Sequence, residues 1–114
     1  MELFRAVRAA NPNVAVVLFN GRPLLLDELS RDAAAILEAW FPGTEGGHAI
    51  LDLLTGTKNP SGKLPMTFPR NMGQIPIYYN HFSTGRPLTG TDPQRFVSKY
   101  TDVPNTPLFP LDTD

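Results

Sequence analysis

Proline constrains this chain more than any other residue type. Twelve of its 114 residues are proline, about twice the average usage, and nine of the twelve lie at or after Pro60. Proline fixes φ and has no backbone N–H, so it is excluded from helix interiors and from central strands. The chain is therefore predicted to consist of a regular part, about residues 1–69, and a loop-rich, extended tail, residues 70–114.

The regular part opens with the pattern of an α/β unit. In residues 2–10, Leu3, Phe4 and Val7 stand at helical spacing among good helix formers. Pro12 ends this helix, and residues 14–19 follow as a continuous apolar run in which three of six residues are β-branched valines. Such a run is typical of a parallel strand that is buried on both faces. The expected fold class is α/β with a mostly parallel sheet.

Residues 27–40 allow two interpretations. Propensity favours a helix over residues 33–40, but a buried strand that ends before Pro42 and Gly43 would have the same composition. Periodicity does not decide between the two. After the glycine-rich turn at residues 42–47, residues 48–54 have the apolar pattern of a helix that stops near Gly56.

The proline-rich half begins with a turn signal. Asn59-Pro60-Ser61-Gly62 has the residues that a β-turn favours at its first, second and fourth positions. Pro65 and Pro69 each remove a ladder donor, so residues 64–69 can form only an edge or irregular strand. Beyond Arg70 the chain is expected to be loop-like.

Charge and composition exclude several classes of function. The formal net charge is −1 with no block of like charge, so neither nucleic acid nor an anionic membrane is an expected partner. The longest apolar run, residues 14–19, is far shorter than the about 20 residues of a membrane-spanning helix. The absence of cysteine excludes disulfides and thiolate chemistry. Residues 1–5 lack the charged-then-apolar pattern of a signal peptide, which predicts a cytoplasmic location for the chain as it stands.

Spacing alone assigns no catalytic residue, cofactor or metal site. His48 and His81 stand 33 positions apart and no cysteine accompanies them, which is unlike a metal site. The turn at residues 42–47 could hold an anion through its N–H groups. A sharp turn also needs residues that tolerate φ > 0, and this second interpretation is favoured. The acidic residues show no spacing typical of a catalytic carboxylate pair.

Three segments, in order along the chain, resemble those of one enzyme family, the family 3 glycoside hydrolases. They are Val16-Val17-Leu18-Phe19-Asn20-Gly21-Arg22-Pro23-Leu24, Ala35-Ile36-Leu37-Glu38-Ala39-Trp40-Phe41-Pro42-Gly43-Thr44-Glu45-Gly46-Gly47-His48-Ala49 and Asn59-Pro60-Ser61-Gly62-Lys63-Leu64-Pro65-Met66-Thr67-Phe68-Pro69. The resemblance is to the family's C-terminal α/β sandwich domain and covers roughly residues 10–110. In the tail, Ile75-Pro76-Ile77-Tyr78-Tyr79-Asn80-His81 is similar to periplasmic bacterial β-glucosidases in particular.

The resemblance implies both a fold and a chemistry. The family segment that matches residues 35–40 is a strand, which implies a partial α/β/α sandwich. The family hydrolyses β-glycosides with retention, through an Asp nucleophile in a preceding barrel domain and a Glu acid/base on a loop upstream of the segment matching Val14. Neither has a counterpart in this sequence, so the resemblance assigns no catalytic residue here. The family is typically periplasmic or secreted. Leu111-Asp112-Thr113-Asp114 departs from its pattern, which continues with an aromatic, glycine-rich strand.

Three functional hypotheses follow. The first is a β-glucosidase fragment that acts on a β-glucoside or oligosaccharide only within a full-length parent, and that self-associates through exposed sheet edges when isolated. The second is a stand-alone carbohydrate-binding module. In it Tyr79, His81 and Arg86 contact the sugar, although a solvated surface loop is a competing interpretation of these residues. The third is a complementing piece of a split enzyme.

Overall fold

Helices alternate with short strands in the amino-terminal half of the chain. The computed structural model describes residues 1–88 and 96–113. These form helices α1 (Glu2–Ala10), α2 (Asp27–Asp32) and α3 (Gly46–Leu54), strands β1 (Ala15–Leu18) and β2 (Ala35–Glu38), and a 3-10 turn at Met72–Gln74. Residues 89–95 and 114 of the predicted tail lie outside the described residues.

The two strands run parallel, which confirms the predicted α/β class. Ala15 stands opposite Ala35 and Leu18 opposite Glu38. The Ala39 N–H donates to the Leu18 carbonyl oxygen at 2.9 Å, so the pairing continues just past the end of β2. Residues 35–38 are therefore a strand, as the resemblance implied, and the helical propensity of residues 33–40 is overridden. The helix of this region is α2, which ends before the strand begins.

Strand β1 is less buried than its composition predicts. The predicted burial on both faces is wrong, because Ala15 is exposed, the next three residues are half-buried and Phe19 keeps 62% of its surface exposed. Helix α1 likewise packs Phe4 against the core and leaves Leu3 exposed. The physical reason is the size of the sheet. In the part of the chain that the structure describes it has two strands, and these present too little surface to be covered fully on both faces.

Polar contacts fix α1 against α2. The Arg5 guanidinium donates to both Glu28 carboxylate oxygens, at 2.6 and 2.7 Å, and the hydrogen bond lowers the pKa of Glu28. Arg8 Nε donates to the Asp32 carbonyl oxygen at 2.5 Å, one helical turn farther along. Arg5 is exposed, where an ion pair stabilises little, and the half-buried Arg8 bonds a backbone carbonyl rather than a carboxylate. These contacts therefore set the orientation of α1 more than they contribute to stability.

The geometry of the turn before α3 requires glycine at two positions. Gly43 has a φ of 71°, which disfavours any residue with a side chain. A Cβ on Gly46 would lie 2.5 Å from the Pro42 Cβ, so the start of the helix could not approach the turn so closely with another residue there. α3 begins at Gly46, two residues before the predicted start at residue 48. The steric interpretation of this turn is thereby supported.

The turn after α3 lies earlier than the sequence predicts. Residues 55–58 form turns and bends, whereas residues 59–64 have neither, so the predicted β-turn at residues 59–62 is wrong. Gly56, with a φ of 76°, adopts the left-handed conformation that ends many helices. The change of direction is complete before Pro60, and the residue before a proline favours extended backbone.

The core is small and centres on Phe68. Within the described residues, the buried apolar side chains are Leu26, Leu29, Phe68 and Pro69, and Phe68 is 1% exposed. Its ring centroid lies 6.0 Å from that of Trp40 and 6.3 Å from that of Phe109. Trp40 follows β2, whereas Phe109 belongs to the tail. The side chain of Phe68 therefore joins the α/β unit to the proline-rich half.

Backbone hydrogen bonds make the same connection. The Phe68 N–H donates to the Phe109 carbonyl oxygen at 2.8 Å, and the Leu108 N–H donates to the Phe68 carbonyl oxygen at 2.9 Å. Four residues earlier, Leu64 exchanges bonds with the residues at 112–113. Pro65 lies between these two paired positions and Pro69 directly follows the second. Neither has the N–H that a continuous ladder would need. The pairing is antiparallel and discontinuous, in agreement with the irregular strand predicted for residues 64–69.

Removing the Phe68 ring is expected to unfold much of the chain. Phe68→Ala would leave a cavity between Trp40 and Phe109, with a cost of about 3–5 kcal/mol in the free energy of unfolding. Phe82→Ala is the matched control, because Phe82 is 97% exposed and its loss should change stability by less than about 0.5 kcal/mol. Urea unfolding followed by circular dichroism measures both. Equal effects of the two substitutions would contradict the assignment of Phe68 as the centre of the core.

Candidate functional site

An open groove of about 510 Å³ lies on the proline-rich half of the molecule. Its volume is in the range of small-molecule binding sites. Four separate stretches of chain supply its walls. The lining residues are Pro23, Pro65, Met66, Thr67, Pro69, Ile75, Pro76, Ile77, Tyr78, Tyr79, Asn80 and Leu111.

A buried glutamine holds one wall of the groove in place. The Gln74 side chain is 1% exposed and precedes the lining segment 75–80. Its Nε2 donates to the carbonyl oxygens of Pro104 and Thr106, at 2.8 and 3.2 Å, and its Oε1 accepts the Arg70 N–H at 2.7 Å. Donors and acceptor are all used, which is the condition for burying an amide without loss of stability. Segment 70–75 is thereby tied to residues 104–106.

The lining of the groove is neutral. It has no aspartate, glutamate, lysine, arginine or histidine, and its polar groups are the Tyr78 and Tyr79 hydroxyls, the Thr67 hydroxyl and the Asn80 amide. Tyr79 keeps 74% of its surface exposed, so much of its ring is available for stacking. A groove of this kind suits an uncharged ligand with an apolar face and hydrogen-bonding groups. Its lining contains no carboxylate, imidazole or amine side chain that could act as a nucleophile or a general acid at neutral pH.

The structure separates the three residues that the sequence grouped as sugar contacts. Tyr79 lines the groove, whereas His81 and Arg86 do not. His81 packs edge-on against Tyr78, with ring centroids 6.2 Å apart, and its Nδ1 lies 3.0 Å from the Phe82 carbonyl oxygen. Arg86 is exposed, and its carbonyl oxygen accepts the Ser98 N–H at 2.8 Å. Their predicted role in sugar binding stays a prediction.

Sequence reasoning missed most of the groove. Pro23, Met66 and Leu111 come from segments far apart in the chain, and each has the composition of an ordinary loop or edge strand. Tyr78 belongs to the tail segment that resembles periplasmic β-glucosidases, but it is not among the predicted sugar contacts. The adjacent tyrosines at positions 78 and 79 are the local signal that could have found the site, because two exposed aromatic rings in a loop are suited to stacking.

A second, smaller cavity lies at the carboxyl end of β2. It has a volume of about 200 Å³ and is lined by one ionisable residue, Glu38, among apolar and neutral ones. Burial raises the pKa of the Glu38 carboxyl, an effect that the Trp40 N–H and the Asn20 side chain oppose. Trp40 itself has a φ of 50°, which is unusual for a bulky residue and costs about 1–3 kcal/mol.

Neither a metal site nor a membrane-spanning helix has candidate residues in the described ranges. In residues 1–88 and 96–113, histidine and acidic side chains nowhere form a group of three that could hold a metal ion. No helix of the described ranges has the length and apolar character needed to cross a membrane.

Comparison with known proteins gives a consistent result. The family model described as the glycosyl hydrolase family 3 C-terminal domain matches residues 1–113. A periplasmic beta-glucosidase of Salmonella typhimurium is 52% identical over 110 residues, which are 96% of this chain and 14% of the relative. A beta-xylosidase of Formosa agariphila is 39% identical over 113 residues, with the same coverage of 96% and 14%. The chain thus spans about one seventh of the length of these relatives.

Solved structures agree with the sequence relatives. The crystal structure of a beta-glucosidase from Listeria innocua in complex with isofagomine superposes with a TM-score of 0.89 at 51% identity, over 96% of this chain and 16% of that chain. A variant of that enzyme in complex with laminaribiose gives a TM-score of 0.88 at 52% identity, over 96% and 15%.

Proposed function

The chain belongs to the glycosyl hydrolase family 3 C-terminal domain family, and from this membership we propose that it serves as a module of a longer, retaining β-glucosidase. The observation that carries the proposal is the superposition on the Listeria enzyme, with a TM-score of 0.89 at 51% identity. The proposed substrate of the whole protein is a β-glucoside or β-linked oligosaccharide. Two findings support that choice: the Salmonella relative is named a beta-glucosidase, and the Listeria enzyme was crystallised with laminaribiose.

The chemistry of the reaction supports a non-catalytic role for this segment. A retaining glycosidase needs a nucleophilic carboxylate and an acid/base carboxylate about 5–5.5 Å apart across the scissile bond. The groove has no carboxylate in its lining, and the second cavity has Glu38 alone. The catalytic pair is therefore proposed to come from the remainder of a full-length enzyme. The part played by this chain is framework and binding.

A second candidate function, carbohydrate binding by the isolated chain, rests on the groove. Its neutral lining, exposed tyrosine rings and few polar groups match the chemistry of a glucose ring, which is uncharged and has an apolar face between its hydroxyls. Tyr79 is the proposed stacking residue. His81 would act indirectly by holding Tyr78, and Arg86 would contact a glycan that extends beyond the groove.

Self-association is a further part of the proposal. In the described residues each strand of the sheet has a strand neighbour on one side only, so backbone groups at both outer edges lack strand partners. Such edges can pair with another chain. The same edges would accept the neighbouring strands of a full-length enzyme.

The predicted cytoplasmic location is not supported by the relatives, one of which is named a periplasmic enzyme.

The purified chain is expected to show no turnover of an aryl β-glucoside. A synthetic substrate such as p-nitrophenyl β-glucoside, with full-length Listeria innocua β-glucosidase as the positive control, measures this directly. The same assay after mixing the chain with that enzyme lacking the matching segment tests complementation. Turnover by the chain alone at any rate above buffer would contradict the assignment of the catalytic carboxylates to other parts of the protein.

Laminaribiose is expected to bind the groove weakly and to shift the amide resonances of residues 75–80. Removing one stacked ring costs about 0.5–1.5 kcal/mol, so Tyr79→Ala should weaken binding by about twofold to thirteenfold. His81→Ala should have a smaller effect, and Arg86→Ala should leave disaccharide binding unchanged. Titration by NMR distinguishes the three. The absence of any shift at high millimolar sugar would reject carbohydrate binding by the isolated chain while leaving the framework role intact.

Edge pairing predicts an association state that depends on concentration. Sedimentation velocity over a hundredfold range of concentration should show larger species at the higher end. Val17→Pro would remove one backbone donor from β1 and should reduce association, provided that circular dichroism shows the helices retained. A monomer at all concentrations with a sharp, high-temperature cooperative melt would contradict this proposal.

A further inference from the structure

One asparagine of this chain is followed by glycine. Asn20-Gly21 stands two residues beyond the end of β1, whereas the other six asparagines precede proline, valine, methionine, histidine or threonine. An asparagine side chain can react with the backbone nitrogen of the next residue, which makes asparagine one of the thermolabile residues of proteins. Glycine obstructs that approach least because it has no Cβ. The sequence therefore has its most reactive amide at position 20.

The backbone nitrogen of Gly21 is available for such a reaction. Gly21 is exposed, and its N–H donates to no described residue. The Phe41 ring lies against one side of this glycine, because a Cβ built on Gly21 would be 2.7 Å from the ring. The other side is open to water. No ladder hydrogen bond has to break before this nitrogen can act as a nucleophile.

The side-chain amide of Asn20 is, in contrast, held in place. Its Nδ2 donates to the Arg22 carbonyl oxygen at 2.6 Å, a local bond that spans Gly21. Its Oδ1 is buried and accepts no hydrogen bond from the described residues. Attack on Cγ would put negative charge on this oxygen, and a buried oxygen without a donor carries such a charge poorly. The folded chain therefore resists a reaction for which its nucleophile is already free.

We propose that Asn20 is a modification site, protected in the folded chain, that converts to aspartate or isoaspartate when the end of β1 opens. Local opening frees Nδ2 from the Arg22 carbonyl and exposes Oδ1 to water, which supplies the missing donors. Water is the only other reactant. Sugar binding plays no part in this reaction.

The reaction has two steps. In the first, the Gly21 nitrogen forms a bond to Asn20 Cγ and loses its proton, the Cγ–Nδ2 bond breaks, and the departing group takes up the proton and leaves as ammonia. The product is a five-membered cyclic imide. In the second step, water adds to one of the two imide carbonyls and the ring opens. Opening at one carbonyl gives an aspartyl residue, and opening at the other gives an isoaspartyl residue.

The product does not fit the folded conformation. An ionised carboxylate has no donor, so the oxygen that replaces Nδ2 would face the Arg22 carbonyl as a second acceptor. The other oxygen would take the buried position of Oδ1, where it has no donor either. Isoaspartate also lengthens the backbone by one methylene group directly before Gly21. Modified chains are therefore expected to unfold more readily than unmodified ones.

Tandem mass spectrometry of peptides from the full chain tests the protection. The chain is incubated at mildly alkaline pH, in buffer and in urea, and loss of the Asn20 amide is compared with loss at the exposed Asn80, which precedes His81. The rate at Asn20 relative to Asn80 should be higher in urea by about tenfold or more. Equal ratios in the two conditions would overturn the protection. Loss at Asn20 no faster than at Asn80 in urea would overturn the site itself.

Two substitutions at the same position test the chemistry and its consequence. Asn20→Gln keeps an amide but would need a six-membered ring, so it should abolish the modification in urea. Asn20→Asp should lower the urea midpoint of unfolding, whereas Asn80→Asp, at an exposed position, should leave it unchanged. An Asn20→Asp chain as stable as the wild type would refute the proposed effect on folding.

Discussion

The burial of Phe68 is the constraint on which the rest of the structure depends. Its ring lies between Trp40 and Phe109, and its backbone pairs with the tail at Leu108 and Phe109. Proline removes the donors from which a continuous ladder could be built in this half of the chain. Two paired positions, Leu64 and Phe68, therefore hold residues 64–69 to the tail in place of a continuous strand. The groove residues at 65–69, the carbonyl groups at 104–106 that Gln74 bonds and the end of β2 all lie within a few residues of the Phe68 contact.

The core around Phe68 is small for a chain that presents so many apolar side chains. Leu3, Phe19, Leu51 and Leu54 are large and exposed, although they stand on regular helices or directly after a strand. Such surfaces in a protein usually mark contacts with other polypeptide. The chain spans about one seventh of the length of its relatives, in which the matching segment is part of a much larger molecule. Its local geometry nevertheless superposes on the Listeria enzyme with a TM-score of 0.89, so the segment has the conformation of that larger fold.

The two polar features of the molecule show how burial changes the chemistry of ordinary side chains. Gln74 is almost fully buried and has all its hydrogen-bonding groups paired, which makes it a rigid support for the groove. Glu38 is half-buried with one oxygen unpaired, and burial raises the pKa of its carboxyl. Neither residue stands out in the sequence. Glutamine and glutamate are usually solvated, and their roles here depend entirely on which backbone groups lie beside them.

Local physics in the sequence determined α1, β1, the helix after the glycine turn and the irregular course of residues 64–69. These depend on side-chain periodicity and on the missing N–H of proline, which act over a few residues. Family resemblance was needed to assign residues 35–38 as a strand, because their helical propensity is equally good. Tertiary structure alone decided that β1 is half-exposed, that the turn precedes Pro60, and that Tyr79 faces a groove which His81 and Arg86 do not line. The reason is that these features depend on contacts between segments distant in the chain, and no local pattern encodes which segments meet.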